Sequence, residues 1–227
     1  MKAVILAAGR GIRLRPHTDQ IPKPMLKVGG DPILFHTLSI LPDEVSEVFI
    51  IVGWLQDEIK NYFGKEFKGK KITYLSQNEP KGTFHALSLA KDFLDEPFLM
   101  ISGDDIYSKK DISEVSKKES AVLVHKTQNP ERFGICKRGH DGLLCEIIEK
   151  PKEFVGDLAN IGVYKLKPTI FKEDIVWGGN GEQVLAPMIG NLAKKEKIWL
   201  TEASFWHPIG DISDLNKAQT LDLTEVS

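Results

Sequence analysis

The chain has 227 residues, 41% of them apolar, and its 30 lysines and arginines almost balance 32 aspartates and glutamates. That length suits one large domain or two small ones, and evenly spread charge excludes the basic stripe that follows a nucleic-acid backbone, so nucleic acid is not an expected partner. Two cysteines, Cys136 and Cys145, are too few for a disulfide framework; they are expected as reduced thiols, or facing each other in a hairpin.

In chain order, the apolar run at residues 3–8 stops at Gly9, too short for a signal-peptide core or a bilayer span, which points to a soluble, cytoplasmic protein with no membrane partner. Residues 3–8, 48–52 and 98–101 are short aliphatic runs, as expected of strands buried on both faces of a parallel sheet. Between them, residues 32–41 have helical spacing, with Asp31 as a candidate cap and Pro42 as a stop. Leu55, Ile59, Tyr62 and Phe63 form one stripe of a second helix. Residues 72–76 are a strand, and 83–94 a helix with Ala86, Leu87, Leu89, Ala90, Phe93 and Leu94 on one face. Such alternation predicts a three-layer αβα sandwich. In the second half, residues 121–125, 134–137, 143–149 and 161–166 are strands without long helices between them, so an antiparallel portion extends the sheet and makes it mixed. Residues 181–195 and 212–223 are the last predicted helices. Without a repeat, low-complexity tract or linker, the whole of 1–227 is expected as one domain.

Gly9, Gly11 and Arg13 follow the first strand, at the end where open α/β sheets bind ligands. Glycines let backbone N–H groups approach phosphate oxygens, and arginine adds a cationic fork. A dinucleotide fingerprint would need glycine where Leu14 stands and an acidic end to the next strand, which runs into Gly53 instead. The nearest match to a triphosphatase loop, residues 64–71, ends in lysine and precedes a strand. A plain tight turn is the remaining alternative. Downstream, Pro22 and Pro24 stiffen the chain around Lys23 and fix the direction of its ammonium group.

The run Leu6-Ala7-Ala8-Gly9-Arg10-Gly11-Ile12-Arg13-Leu14, with Pro16, Thr18 and then Pro22-Lys23-Pro24-Met25-Leu26, resembles the signature of sugar-1-phosphate nucleotidyltransferases, among them glucose-1-phosphate thymidylyl- and uridylyltransferases. The resemblance implies a Rossmann-like, glycosyltransferase-A-type fold, with residues 1–110 binding nucleotide and 111–227 binding sugar phosphate. It implies that a nucleoside triphosphate, UTP or dTTP, and a sugar 1-phosphate are the partners, that Mg²⁺ is the cofactor, and that the protein can associate as a homo-oligomer. Carried over by position, Leu6, Ala8, Gly9 and Gly11 enclose the nucleotide, while Arg13 and Lys23 balance the triphosphate charge as catalytic residues. Gln77, with Gly82 and Thr83, reads the base; its amide offers a donor and an acceptor. Asp104 in Gly103-Asp104-Asp105 is the metal-binding carboxylate. Glu149 and Lys150, before Pro151, and Asn160 and Gly162, around Ile161, hold the sugar phosphate.

One position departs from the pattern. Relatives carry a second metal aspartate two residues after a C-terminal tryptophan, and here Pro208 follows Trp206 at that spacing. Asp211 is the alternative ligand; otherwise Asp104 works with phosphates and water alone. His207 is less suited, because Mg²⁺ prefers oxygen. The departure keeps open a catalytically weak nucleotide-sugar-binding or regulatory subunit, and a cytidylyltransferase acting on a non-sugar phosphate is a further alternative.

Overall fold

A computed structural model describes residues 1–226, leaving Ser227, the last residue of the expected domain, outside the described residues. Its frame is a 10-stranded mixed sheet. Lys2–Ala7 lies between the parallel strands Glu47–Val52 and Phe98–Ser102, and Lys70–Ser76 extends the parallel part beyond Glu47–Val52. The three apolar runs are therefore neighbours, as their burial on both faces requires. Leu158–Leu166 turns the sheet antiparallel, pairing with Phe98–Ser102, with Ala121–Lys126 and, at Ala159, with Gly134–Arg138. Leu144–Glu149 closes that side against Gly134–Arg138.

Alternate residues of each parallel strand enter different cores. Ala3, Ile5 and Ala7 pack with Ile33, Leu34 and Leu38 of helix Ile33–Ser39, and with Ile59 and Phe63 of helix Gln56–Phe63. Ile112 and Val115 of helix Lys109–Ser116 and Leu215 of helix Ile212–Ala218 join the same side. Val4, Phe49 and Met100 face the other way, onto Leu87 of helix Thr83–Ser88 and Met188 and Ile189 of helix Leu185–Leu192. The result is the three-layer α/β sandwich expected from the strand–helix alternation, with every parallel strand pointing its carboxyl end at the same edge.

Several local expectations are corrected. Asp31 caps nothing: it pairs with Val28 in a short ladder, and Pro32 precedes the helix without a side-chain cap. In helix Gln56–Phe63 the buried pair is Ile59 and Phe63, whereas Tyr62 turns outward and packs edge-on to Phe63 at 4.7 Å. The helix from Thr83 stops at Ser88, and Phe93, in a separate turn, is half exposed against Phe49. Residues 181–184 precede rather than open helix Leu185–Leu192, because Gly178 N–H bonds Glu182 O at 2.7 Å and Trp177 pairs with Gln183 in a tight loop. The last helix ends at Ala218. Strand Trp199–Glu202, parallel to Ala121–Lys126, has no counterpart in the sequence reading. Both cysteines are free; burial pushes the Cys136 thiol up to about 12, while Cys145 is exposed. Among the described residues no helix is long and apolar enough to cross a membrane.

Candidate active site

The loops after Ala7, Ser76 and Ser102 line a cleft of about 910 Å³ at the carboxyl edge of the parallel strands. Leu6, Ala8, Gly9, Gly11, Arg13, Lys23, Gln77, Gly82, Thr83, Asp104, Glu149 and Lys150 all line it. A second pocket of about 340 Å³ adjoins it, contains Asn160 and Gly162, and shares Thr83, Ser102, Asp104, Glu149 and Val184 with the larger one. Asp104 and Glu149 thus stand where the two cavities meet.

The glycine loop is shaped by what it packs against. Gly11 has φ +62°, and a Cβ there would lie 3.0 Å from both Lys23 Cβ and Thr18 Cγ2, so glycine lets the loop sit directly on the Pro22-Lys23-Pro24 segment. Thr18 Oγ1 donates to Gly11 O at 2.8 Å and locks the turn. The backbone N–H groups of Gly9, Arg10, Gly11, Ile12 and Arg13 make no hydrogen bond among the described residues, a run of free donors of the kind that cradles anions. The Arg13 guanidinium likewise makes no hydrogen bond there, whereas Arg10 lies over the Trp54 ring at 5.2 Å.

Lys23 is only 9% exposed. Its Nζ reaches Asp104 Oδ2 at 2.7 Å and Asp105 Oδ1 at 3.9 Å, which ties the glycine-loop side of the cleft to the Gly103-Asp104-Asp105 turn. The two aspartates differ in use. Asp105 is partly buried and accepts from Trp206 Nε1 at 3.1 Å and Ile209 N–H at 2.9 Å, and burial with the adjacent Asp104 carboxylate pushes it up to about 6. Asp104, with a side chain 41% exposed, is the carboxylate that faces the cleft.

At the other end, Gln77 Nε2 donates to Gly82 O at 3.1 Å and lies 2.9 Å from His85 Nδ1. The protein takes both amide hydrogens, so only the Gln77 Oε1 is left open, and the neighbouring Gly82 N–H is an unbonded donor among the described residues. That corrects the expectation that the amide itself presents both. Gly82 has φ +95° because the 178–183 loop presses on it: a Cβ would lie 2.7 Å from Gln183 N and collide with Gln183 O. Gln183 N–H bonds Lys81 O at 2.8 Å, and Phe84 N–H bonds Gln183 O at 3.0 Å. Gly178, Asn180 and Glu182 of that loop line the cleft, though only Glu182 falls within the helix expected at 181–195.

Lys150 holds φ +43° before Pro151, with its N–H on Phe133 O at 3.0 Å. This sparsely populated backbone state directs the lysine into the cleft. Asn160 Nδ2 donates to Tyr164 at 2.7 Å, leaving part of its amide for the pocket. Asp211 lines neither cavity. It caps helix Ile212–Ala218 by accepting from Asp214 N–H at 3.0 Å, and its other oxygen is 3.5 Å from Arg132.

Comparison with known proteins identifies the family. The family model described as nucleotidyl transferase matches residues 2–225. A bifunctional protein GlmU of Methanococcus maripaludis is 35% identical over the full chain, and one from Methanocaldococcus jannaschii is 37% identical over 96% of it. The chain spans about half the length of these relatives, 55% and 54%. The UTP–glucose-1-phosphate uridylyltransferase AglF of Haloferax volcanii is 38% identical over 75% of this chain and 74% of its own. A Bacillus anthracis structure described as a glucose-1-phosphate thymidylyltransferase in complex with a sucrose superposes with a TM-score of 0.87 at 27% identity, covering 100% of this chain and 98% of that one. A match spanning almost every described residue, with the signature loop at its cleft, establishes that the chain belongs to the nucleotidyl transferase family.

Proposed function

We propose that the protein joins a nucleoside triphosphate, UTP or dTTP, to a sugar 1-phosphate, releasing pyrophosphate and a nucleotide sugar. The observation that carries the reading is the pair of adjoining cavities that share Asp104 and Glu149: one is lined by free backbone donors and Arg13, the other by Asn160 and Gly162. A phosphate oxygen of the sugar 1-phosphate attacks the α-phosphorus; the new P–O bond forms as the bond to the bridging oxygen breaks, and pyrophosphate leaves. The nucleophile is already anionic, so positioning and charge stabilisation are the main tasks. The glycine-loop N–H groups, Arg13 and Lys23 hold the triphosphate, Lys150 takes the sugar phosphate, and Glu149 and Asn160 meet sugar hydroxyls. Gln77 Oε1 accepts from the N3–H of uracil or thymine while Gly82 N–H donates to the adjacent carbonyl. The substrates are soluble, which fits a cytoplasmic enzyme.

The donor set suits Mg²⁺ at Asp104, a hard carboxylate in the cleft. No group of three or more His, Cys, Asp or Glu gathers among the described residues, so the ion would take its other oxygens from phosphates and water. When bound, it supplies charge neutralisation on the phosphates. Pyrophosphate release with a panel of triphosphates and sugar 1-phosphates tests the proposal, and no release from any pair overturns it. Pro208, together with the engagement of Asp211 by Arg132, favours one second reading, a subunit that binds nucleotide sugar without turnover. Binding of nucleotide sugar without pyrophosphate release would identify it.

A further inference from the structure

Arg132 lies outside every motif of the sequence, in the turn Pro130–Arg132 between two strands, yet it lines the smaller pocket with Glu149, Asn160 and Asp104. A pocket for sugar hydroxyls alone needs no guanidinium. Nη2 is anchored by Asp214 at 3.1 Å, with Asp211 at 3.5 Å, and the guanidinium lies 5.6 Å from the centre of the Phe133 ring, itself in the pocket wall. Only that one nitrogen has a partner among the described residues, so the other donors of the fork remain available. Asp214 is buried and also accepts Gly210 N–H at 3.0 Å, which makes the anchor part of the fold. At the same glycine the second arginine arrives: a Cβ on Gly210 would be 3.4 Å from Arg132 Nη2 and 3.7 Å from Arg13 Nη1. Asp211 feels both; the Asp214 N–H first, then the Arg132 and Arg13 guanidinium groups, hold its carboxyl below the usual range.

Arg13 lines the larger cavity and Arg132 the smaller, and they converge at Gly210. Resting on the proposed function, we infer that Arg132 is a second phosphate-binding arginine, which holds the phosphate of the sugar 1-phosphate from the wall of the smaller pocket and, with Arg13, offsets the repulsion as the two phosphates approach. Planar bidentate recognition of a phosphate is the chemistry at which a fixed guanidinium excels and lysine does not.

The test compares Arg132→Gln, Arg132→Lys and Asp214→Asn with the wild-type enzyme. Arg132→Gln is expected to raise KM for the sugar 1-phosphate by about 10- to 100-fold, the loss of one or two charge-assisted hydrogen bonds, with KM for the triphosphate little changed. Arg132→Lys is expected to recover part of that loss. Asp214→Asn removes the anchor but keeps the guanidinium, so it should impair sugar-phosphate binding less than Arg132→Gln; equal effects from both, with both Michaelis constants rising together, would make the arginine structural and overturn the inference. Calorimetry supplies a second readout: wild type should prefer sugar 1-phosphate over the free sugar, and Arg132→Gln should lose most of that preference. An unchanged sugar-phosphate KM in a variant that folds also overturns it, whereas absence of pyrophosphate release from the wild type would instead refute the proposed function.

Discussion

Replacing Gly82 by alanine tests how the Gln77 end of the cleft is built. At φ +95° and ψ 177° the residue occupies a region open essentially to glycine, which costs any other residue about 1–3 kcal/mol. The added Cβ meets Gln183 backbone atoms rather than a flexible side chain, so the 178–183 loop must move away and give up the bonds from Gln183 N–H to Lys81 O and from Phe84 N–H to Gln183 O, worth about 1 kcal/mol each. A loss of about 3–5 kcal/mol follows. Urea unfolding should show a lower midpoint with an unchanged slope, and any folded fraction should bind triphosphate more weakly. Gly179→Ala is the internal control. Nothing lies within 4 Å of a Cβ there, so stability should stay within about 0.5 kcal/mol of wild type. If Gly82→Ala matched Gly179→Ala in stability, the packing of this loop against the turn at Gly82 would not be what holds the turn.

Arg13→Ala and Asp104→Asn should each lower turnover by about a hundredfold to a thousandfold. Arg13→Ala should leave Tm little changed, whereas Asp104→Asn should also lower Tm because it removes the carboxylate paired with the largely buried Lys23. Steady-state assays and thermal melts decide, and near-normal turnover refutes their roles. His85→Ala releases an amide hydrogen of Gln77, so discrimination between UTP and CTP, measured as a ratio of kcat/KM values, should fall by about tenfold; an unchanged ratio means that His85 does not orient the amide. Chelation of divalent cations should stop pyrophosphate release and added Mg²⁺ should restore it, and undiminished release in chelator would exclude Asp104 as a metal ligand.

The parallel half of the fold was legible because a strand buried on both faces writes its burial into the sequence as an unbroken apolar run, and Lys2–Ala7, Glu47–Val52 and Phe98–Ser102 do so. The cleft was legible for a related reason. Ligands meet such a sheet at strand ends, so the glycine loop, Gln77 and Asp104 each directly follow a strand and can be placed without tertiary information. Strand Trp199–Glu202 escaped because it is exposed along much of its length and carries no apolar alternation, its place being set by pairing with Ala121–Lys126.

Arg132 and the 178–183 loop show where sequence reasoning stops. Neither belongs to an element whose period announces a face; their positions come from contacts with residues far away in the chain, Asp214 for the arginine and Lys81 with Phe84 for the loop. Pro208 is informative for the opposite reason. It removes a ligand that the family pattern leads one to expect, and three residues on, Asp211 is already engaged by Asp214 N–H and Arg132. A carboxylate held in this way is a poor spare ligand but a good counter-charge: with Asp214 it fixes the guanidinium beside the smaller pocket. Asp211 and Arg132 therefore belong to one electrostatic arrangement, and on the proposed reading its guanidinium would meet the approaching phosphates as an additional protein cation near Asp104.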